Sequence, residues 1–226
     1  NAIIYRYKEE NGQGANLDKA HERNRTQHNV DCRTANHYLK DIYYGNRTPL
    51  LDNAGHRPHL LSQEQAKANN EKWLFQVVFD YGEHDQKVPK PDDAGAWDYR
   101  PDSFSSYRSG FEVRTTRRCK RVLMFHHFPD EAEVGCDCLV RSTDFTYSDE
   151  EGKENTNNPI YSFLNKVTQS GYKRNGQGYL QRGLPPVEFT YSKPTIQSKV
   201  EEVDAASLDN LPIGVDGAMY QWIDLH

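Results

Sequence analysis

Three groups of side chains have the types and spacing that chemistry uses. The string Asp80-Tyr81-Gly82-Glu83-His84-Asp85 puts acids and a histidine at the end of an aromatic run, and catalytic groups favour the loops that follow strand ends. His126, His127, Cys136 and Cys138 form the densest metal-like grouping; zinc needs about four N or S ligands converging at ~2.0–2.3 Å. Arg114, Arg117, Arg118, Lys120 and Arg121 fall within eight residues, a run of the kind that grips phosphate.

None of the three completes a catalytic or ligand set. No Ser or Cys sits in a Gly-x-Ser-x-Gly elbow, and Gly12-Gln13-Gly14 lacks the third glycine and the helix of a dinucleotide fingerprint. Turn chemistry accounts for residues 80–85 without catalysis. Adjacent strand histidines point to opposite faces, so His126 and His127 reach one ion only across a bulge. Cys136-Asp137-Cys138 has one residue between the thiols where a zinc knuckle uses two. With only Cys32, Cys119, Cys136 and Cys138 in the chain, unpaired thiols are expected. The basic run flanks a bend between two expected strands and has no aromatic residues interleaved with it, which reads as a solvated or acid-paired rim. No catalytic residue, metal ligand or cofactor is assigned on these grounds, and the binding residues stay undefined.

The elements that must position these residues are strands. Trp73, Phe75, Val77, Phe79 and Tyr81 alternate with Leu74, Gln76, Val78 and Asp80, so a strand is expected with its aromatic face buried. The same period recurs at Ile3-Tyr5-Tyr7, Leu39 to Tyr44, Phe111 to Arg114, Val122 to Phe128, Leu139 to Tyr147 and Val187 to Tyr191. Gly45-Asn46, Gly82, Pro129-Asp130, Ser148-Asp149 and Lys193-Pro194 supply turns. At least seven strands with almost no helical periodicity predict an all-β architecture of antiparallel strands. Only Ser62 to Lys72 has helical character, with Ser62 and Gln65 spaced as a capping box; a short surface helix or a loop fits its nearly empty apolar face. Asn46 to Leu61 and Glu83 to Ser103 are long excursions, and Trp97, Tyr99 and Phe104 are expected to fold them back onto the sheet or a neighbour. Past Pro194 the chain turns polar up to Pro212, and a new apolar segment opens at Ile213.

Composition agrees with a folded, non-spanning chain. Its 226 residues are 35% hydrophobic and 12% aromatic, with a mean hydropathy of -0.94; disordered chains avoid such aromatic content. A net charge of -5 removes the overall attraction to nucleic acids and anionic membranes. No stretch approaches the roughly 20 apolar residues of a spanning helix. Asn1 opens the chain without a Met and its last residues read as a strand cut mid-pattern, so an excised fragment is expected.

Several of these strings resemble one family closely. Tyr38-Leu39 with Ile42-Tyr43-Tyr44-Gly45-Asn46, Trp73-Leu74-Phe75 with Val78 through Asp85, and the block Arg100-Pro101-Asp102-Ser103-Phe104-Ser105-Ser106-Tyr107 resemble the SpvB-like region of the B component of bacterial insecticidal toxin complexes (Tc toxins). So do Gly110 through Thr115, Arg118-Cys119 with Val122 through His126, and Leu184-Pro185-Pro186-Val187-Glu188-Phe189. The resemblance runs in order from Ile3 to about Tyr191.

It implies a hollow SpvB/RHS-type β-sheet shell, formed with the C component, that encloses a toxic effector and docks through a β-propeller on the membrane-translocating A component. Residues 1–193 would then be shell wall with long loops, 194–212 a linker, and 213–226 the start of the propeller. A secreted, structural role follows, with the rest of the parent chain and the C and A components as partners, and with neither nucleic acid nor direct membrane insertion. The ADP-ribosyltransferase carried by one family member is not implied: Arg141-Ser142-Thr143 continues with Asp144, and Glu131-Ala132-Glu133 precedes it, the reverse of the transferase order. Two other readings remain open. One is a carbohydrate- or protein-binding module that uses the loops at 46–61 and 83–104 with Trp97, Tyr99 and Tyr107; the other is a metal-dependent enzyme.

Overall fold

The computed structural model describes residues 2–19, 22, 35–66, 72–92, 95–149, 162–192, 199–207 and 209. Among the described residues ten strands follow one another: β1 (Ile3–Glu9), β2 (His37–Asn46), β3 (Trp73–Asp80), β4 (Phe104–Ser106), β5 (Val113–Thr115), β6 (Arg121–Phe128), β7 (Gly135–Tyr147), β8 (Leu164–Asn175), β9 (Gly178–Gly183) and β10 (Val187–Glu188). Seven lie side by side in the order β1-β2-β3-β6-β7-β8-β10, with β9 also paired to β8, while β4 and β5 form a separate two-stranded sheet. Every pairing is antiparallel. The all-β antiparallel architecture expected from the alternation is therefore present.

Three strands had no counterpart in the aromatic alternation. β8 and β9 are polar, and their hairpin turns through Gly176-Gln177, with Gly176 at φ 59; a glycine at the first of two central turn positions is a hairpin signal that does not depend on hydrophobic pattern. β4 is three residues long and owes its existence to β5. Val187 to Tyr191 shortens to β10, which continues the edge of β9 along β8 after Pro185-Pro186. Proline has no N–H to give to a ladder, so the pair interrupts the strand. Gly45-Asn46 does not end β2, which runs through both residues.

The expected sidedness of β3 is reversed in its middle. Gln76, Val78 and Asp80 are at most 1% exposed, whereas Phe75, Val77 and Phe79 are half-buried. Val78 joins Leu123, Phe125 and Leu139 in the main apolar cluster, with Tyr172 and Tyr179 of the β8–β9 hairpin packed against it. The aromatic face is fully buried only at its ends. There Trp73 is fully buried, and Tyr81 packs with Tyr38 and Trp97 in a second cluster. Trp97 thus folds its excursion back onto the sheet as expected, while Phe104 stays 53% exposed.

Ser62 and Gln65 do form the reciprocal cap. The Ser62 N–H donates to Gln65 Oε1 at 3.0 Å, and the Gln65 N–H to Ser62 Oγ at 3.2 Å; residues 67–71, where a helix would continue, lie outside the described residues. The chain divides into two compact units, Asn1–Asn155 with Pro159–Ser192, and Thr156–Asn158 with Lys193–His226. The sheets belong to the first. Within the second, Asp204 Oδ1 accepts from the Ala206 and Ser207 N–H groups, and the segment from Ile213, along with the Lys193-Pro194 turn, lies outside the described residues.

Candidate functional site

Asp80, Glu83 and His84 are the one group among the described residues whose ligand atoms approach one another as metal ligands do, within 4.8 Å, and all three are buried. β3 delivers Asp80 at its last position, and the chain then folds sharply at Gly82. Its φ of 111 is a conformation L side chains rarely adopt, and a Cβ there would meet Asp98 Oδ2 at 2.5 Å. Asp80 Oδ1 accepts the N–H groups of Gly82 at 2.8 Å and His84 at 3.3 Å, while Asp85 Oδ1 accepts those of Lys87 and Val88. This is the turn chemistry expected of the string.

A residue the sequence did not single out holds the middle of the cluster. Lys40 of β2 places its Nζ 2.7 Å from Glu83 Oε1, 2.7 Å from His84 Nε2 and 3.2 Å from the Phe79 carbonyl. Arg121 takes the other carboxylate, with its Nε 2.6 Å from Asp80 Oδ2. The cations held here are an ammonium and a guanidinium. Burial pushes the Glu83 carboxyl up, but the Lys40 charge and hydrogen bond outweigh it and leave the group below the usual carboxylate range. Burial, reinforced by Lys40, holds the His84 imidazole below its usual range. Burial and Asp80 push the neighbouring Cys119 thiol up to about 12, so it is no thiolate nucleophile.

The basic run is acid-paired, but it is not a solvated rim. Each of its five cations meets an acid from elsewhere: Arg114 with Glu22 at 2.5 Å, Arg117 with Glu10 at 2.5 Å, Arg118 with Asp149 at 2.8 Å, Lys120 with Asp98 at 2.6 Å, and Arg121 with Asp80 at 2.6 Å. Arg117 and Glu10 are both fully buried. Burial pushes Glu10 up, yet the hydrogen bonds from Arg117 and Thr116 pull it below the usual carboxylate range. Aromatic rings do interleave with the run, contributed from distant segments: Arg117 lies 4.2 Å over Trp97, and Arg118 lies 4.0 Å over Tyr147. These residues clamp loops to the sheet, each cation held by an acid from another part of the chain.

His126 and His127 take opposite faces, as strand geometry requires. His126 packs half-buried against Phe75 and Phe128 at 5.0 and 5.6 Å. His127 is fully buried, with Nδ1 3.2 Å from the Asp137 amide nitrogen. The β6–β7 register shifts at this place, but it does not bring the two histidines together with Cys136 and Cys138. Cys119, Cys136 and Cys138 are all unpaired thiols, and Cys32 lies outside the described residues. A cleft of about 520 Å³ is lined by Gln13, Trp97, Tyr99, Pro101, Arg118 and Lys120, among others. Trp97 offers no stacking platform there, being 2% exposed and covered by the Lys8 ammonium at 4.0 Å and Arg117. Tyr99 is tied to Glu22 at 2.9 Å. Tyr107 alone of the three expected platforms is open, at 65% exposed.

The clamped segment falls inside the region that matches a known family. Residues 1–128, more than half the chain, match the model of the Salmonella virulence plasmid 65kDa B protein, SpvB. The chain belongs to the SpvB family. Curated relatives in Salmonella typhimurium and Salmonella dublin, each named mono(ADP-ribosyl)transferase SpvB, are 37% identical over 180 residues, 78% of this chain and 26% of theirs. The chain therefore spans about a quarter of the length of the SpvB relatives it matches. Two solved structures share the fold: TcdB2-TccC3-TEV, with a TM-score of 0.63 and 32% identity over 84% of this chain and 8% of that one, and the N-terminal domain of effector protein SpvB from Salmonella typhimurium, with 0.58 and 35% over 75% and 47%. The likeness to the SpvB and Tc-toxin strands expected from the sequence is thus found in both sequence and structure, and the SpvB structure it meets is that of the N-terminal domain.

The residues that organise this SpvB-family site and went unmarked in the sequence are Lys40, Glu10 and Glu22. Each belongs to no motif and acts across more than forty positions. Only the paired sheet brings them to their partners.

Proposed function

We propose that this chain is a non-catalytic wall segment of a secreted toxin-delivery shell, in which it helps enclose an effector before delivery. The observation that carries the reading is the superposition of 84% of the chain on the TcdB2-TccC3-TEV structure at a TM-score of 0.63 and 32% identity. Residues 1–193 are the wall, 194–212 a linker and 213–226 the opening of a β-propeller; the division of compact units between residues 192 and 193 supports that boundary. The remaining parent chain and the effector-bearing and translocating components of a toxin complex are its partners.

The absence of catalysis is part of the proposal. The acids and histidine best placed for chemistry are engaged by Lys40, Arg121 and backbone groups, an arrangement suited to holding a loop. Co-expression of the parent protein with its effector-bearing partner, followed by added protease, tests the wall. The effector is expected to resist digestion in the intact complex and to become sensitive after Val78→Asp, which puts a charge into the fully buried cluster; an effector digested equally in both overturns the reading. The 226-residue chain alone is expected to transfer no label from NAD to protein.

A further inference from the structure

We propose that His84 is an acid-operated latch: as a neutral imidazole it ties the loop after β3 to β2, and once protonated it lets that loop go. The inference is independent of the shell reading.

The geometry assigns the neutral tautomer completely. His84 Nδ1 lies 2.8 Å from the Lys90 carbonyl, an acceptor, so this nitrogen carries the hydrogen. Nε2 lies 2.7 Å from the Lys40 ammonium, which has only hydrogens to give, so this nitrogen presents its lone pair. The ring is 3% exposed. One imidazole thereby joins two ends of its own loop, residues 84 and 90, and fastens both to β2.

Adding a proton at Nε2 replaces that lone pair with a donor aimed at an ammonium at 2.7 Å, out of water. Two cations in contact at low dielectric repel strongly. Among the described residues, the acids that face the ring are already committed. Glu83 Oε1 serves Lys40 at 2.7 Å and Lys8 of β1 at 3.6 Å, and its Oε2 accepts the Tyr81 N–H at 2.7 Å. Asp80 at the end of β3 serves Gly82, the His84 N–H and Arg121 of β6. From the segment before β6 the group facing the cluster is the Cys119 thiol, neutral across this range. Arg121 also donates to the carbonyls of His84 at 3.1 Å and Asp85 at 3.0 Å, which fixes the base of the loop and lets its tip open. Burial and Lys40 hold the imidazole below its ordinary value of 6.5, so the latch is closed at neutral pH and opens as pH falls below that value.

Hydrogen exchange of the 226-residue chain, corrected for intrinsic rates, tests this at about pH 7.5 and about pH 5. Protection of the backbone amides of Lys87, Val88, Lys90 and Asp92 is expected to fall at least about fivefold at the lower pH, with amides in the middle of β3 and β6 unchanged. Two substitutions separate a latch from general acid loosening. His84→Gln has an amide that can donate to one neighbour and accept from the other, and it is expected to make loop protection independent of pH. Lys40→Met removes the opposing ammonium, leaves a protonated His84 facing Glu83, and is expected to keep the loop protected at the lower pH. A loop equally protected at both pH values, or a Lys40→Met protein that opens as the wild type does, overturns the proposal. Should either variant fail to fold, NMR titration of His84 in the wild type decides: loss of the Lys90 hydrogen bond in step with ring protonation supports the latch, and its survival through the titration overturns it.

Discussion

At the residue scale, the most consequential contacts are ion pairs formed where charges are hardest to bury. Arg117 and Glu10 have no exposed side-chain surface, and the guanidinium donates through Nε and Nη2 at 2.8 and 2.5 Å to the two carboxylate oxygens and through Nη1 to the Trp97 carbonyl at 3.0 Å. Such a pair adds little over a well-packed apolar one, but removing one member strands the other without compensation. Arg117→Met is therefore expected to cost roughly 3–5 kcal/mol in urea unfolding. Lys173→Ala, which breaks the open pair with Glu133, is expected to leave the midpoint unchanged within error. Equal effects would show that burial does not set the weight of these pairs. The basic cluster was plain in the sequence; that it faces inward was not, because Glu10, Glu22, Asp98 and Asp149 are scattered along the chain with no spacing to mark them as partners.

At the element scale, β3 shows why alternation reveals a strand without revealing its buried side. Its more apolar face carries Phe75, Val77 and Phe79, yet the fully buried centre is the face of Gln76, Val78 and Asp80. Neighbours decide this. In register, Val78 lies beside Leu123 and Gln76 beside Phe125, so β6 and the Leu139 of β7 build the core on the side where β3 is most polar. Asp80 is tolerated there because Arg121 neutralises it. Val77 and Val78 form a matched test. Val78→Ala is expected to destabilise by about 2–3 kcal/mol, from two lost methylene equivalents plus a cavity, and Val77→Ala by less than half as much. A larger loss at Val77 in chemical denaturation would restore the aromatic face as the core.

At the scale of the whole molecule, buried titratable groups bound the pH range of the fold. His84 is held below its ordinary value of 6.5 by burial and Lys40, and Glu10 and Glu83 lie below 4.5 because their cationic partners outweigh burial. A depressed folded-state pKa means that the unfolded chain binds more protons below the ordinary value, so the associated stability is complete above that value and is lost as pH falls. Tyr43 has the opposite sign. Burial and Asp41 push it up to about 12 from 10.0, so its contribution is complete below 10.0 and is lost as pH rises. The melting temperature is expected to be flat between roughly pH 6.5 and roughly pH 9, above which the raised Cys119 thiol and then Tyr43 cost stability, and on the acid side to fall first through the His84 range and then more steeply below the carboxylate values. A melting temperature that stays level down to pH 4.5 would contradict these assignments.

The sequence by itself determined the class of this protein: antiparallel strands read from period two, turns read from Gly and Pro, and strings specific enough to mark the SpvB family along most of the chain. Those features are local, and each is written in neighbouring residues. Only the tertiary structure decided which face of the sheet is buried, that the basic run closes on five acids brought from elsewhere in the chain, and that Lys40 meets His84. These depend on strand order and register, which bring together residues from about twenty to more than a hundred positions apart, and no periodicity within one strand carries that information.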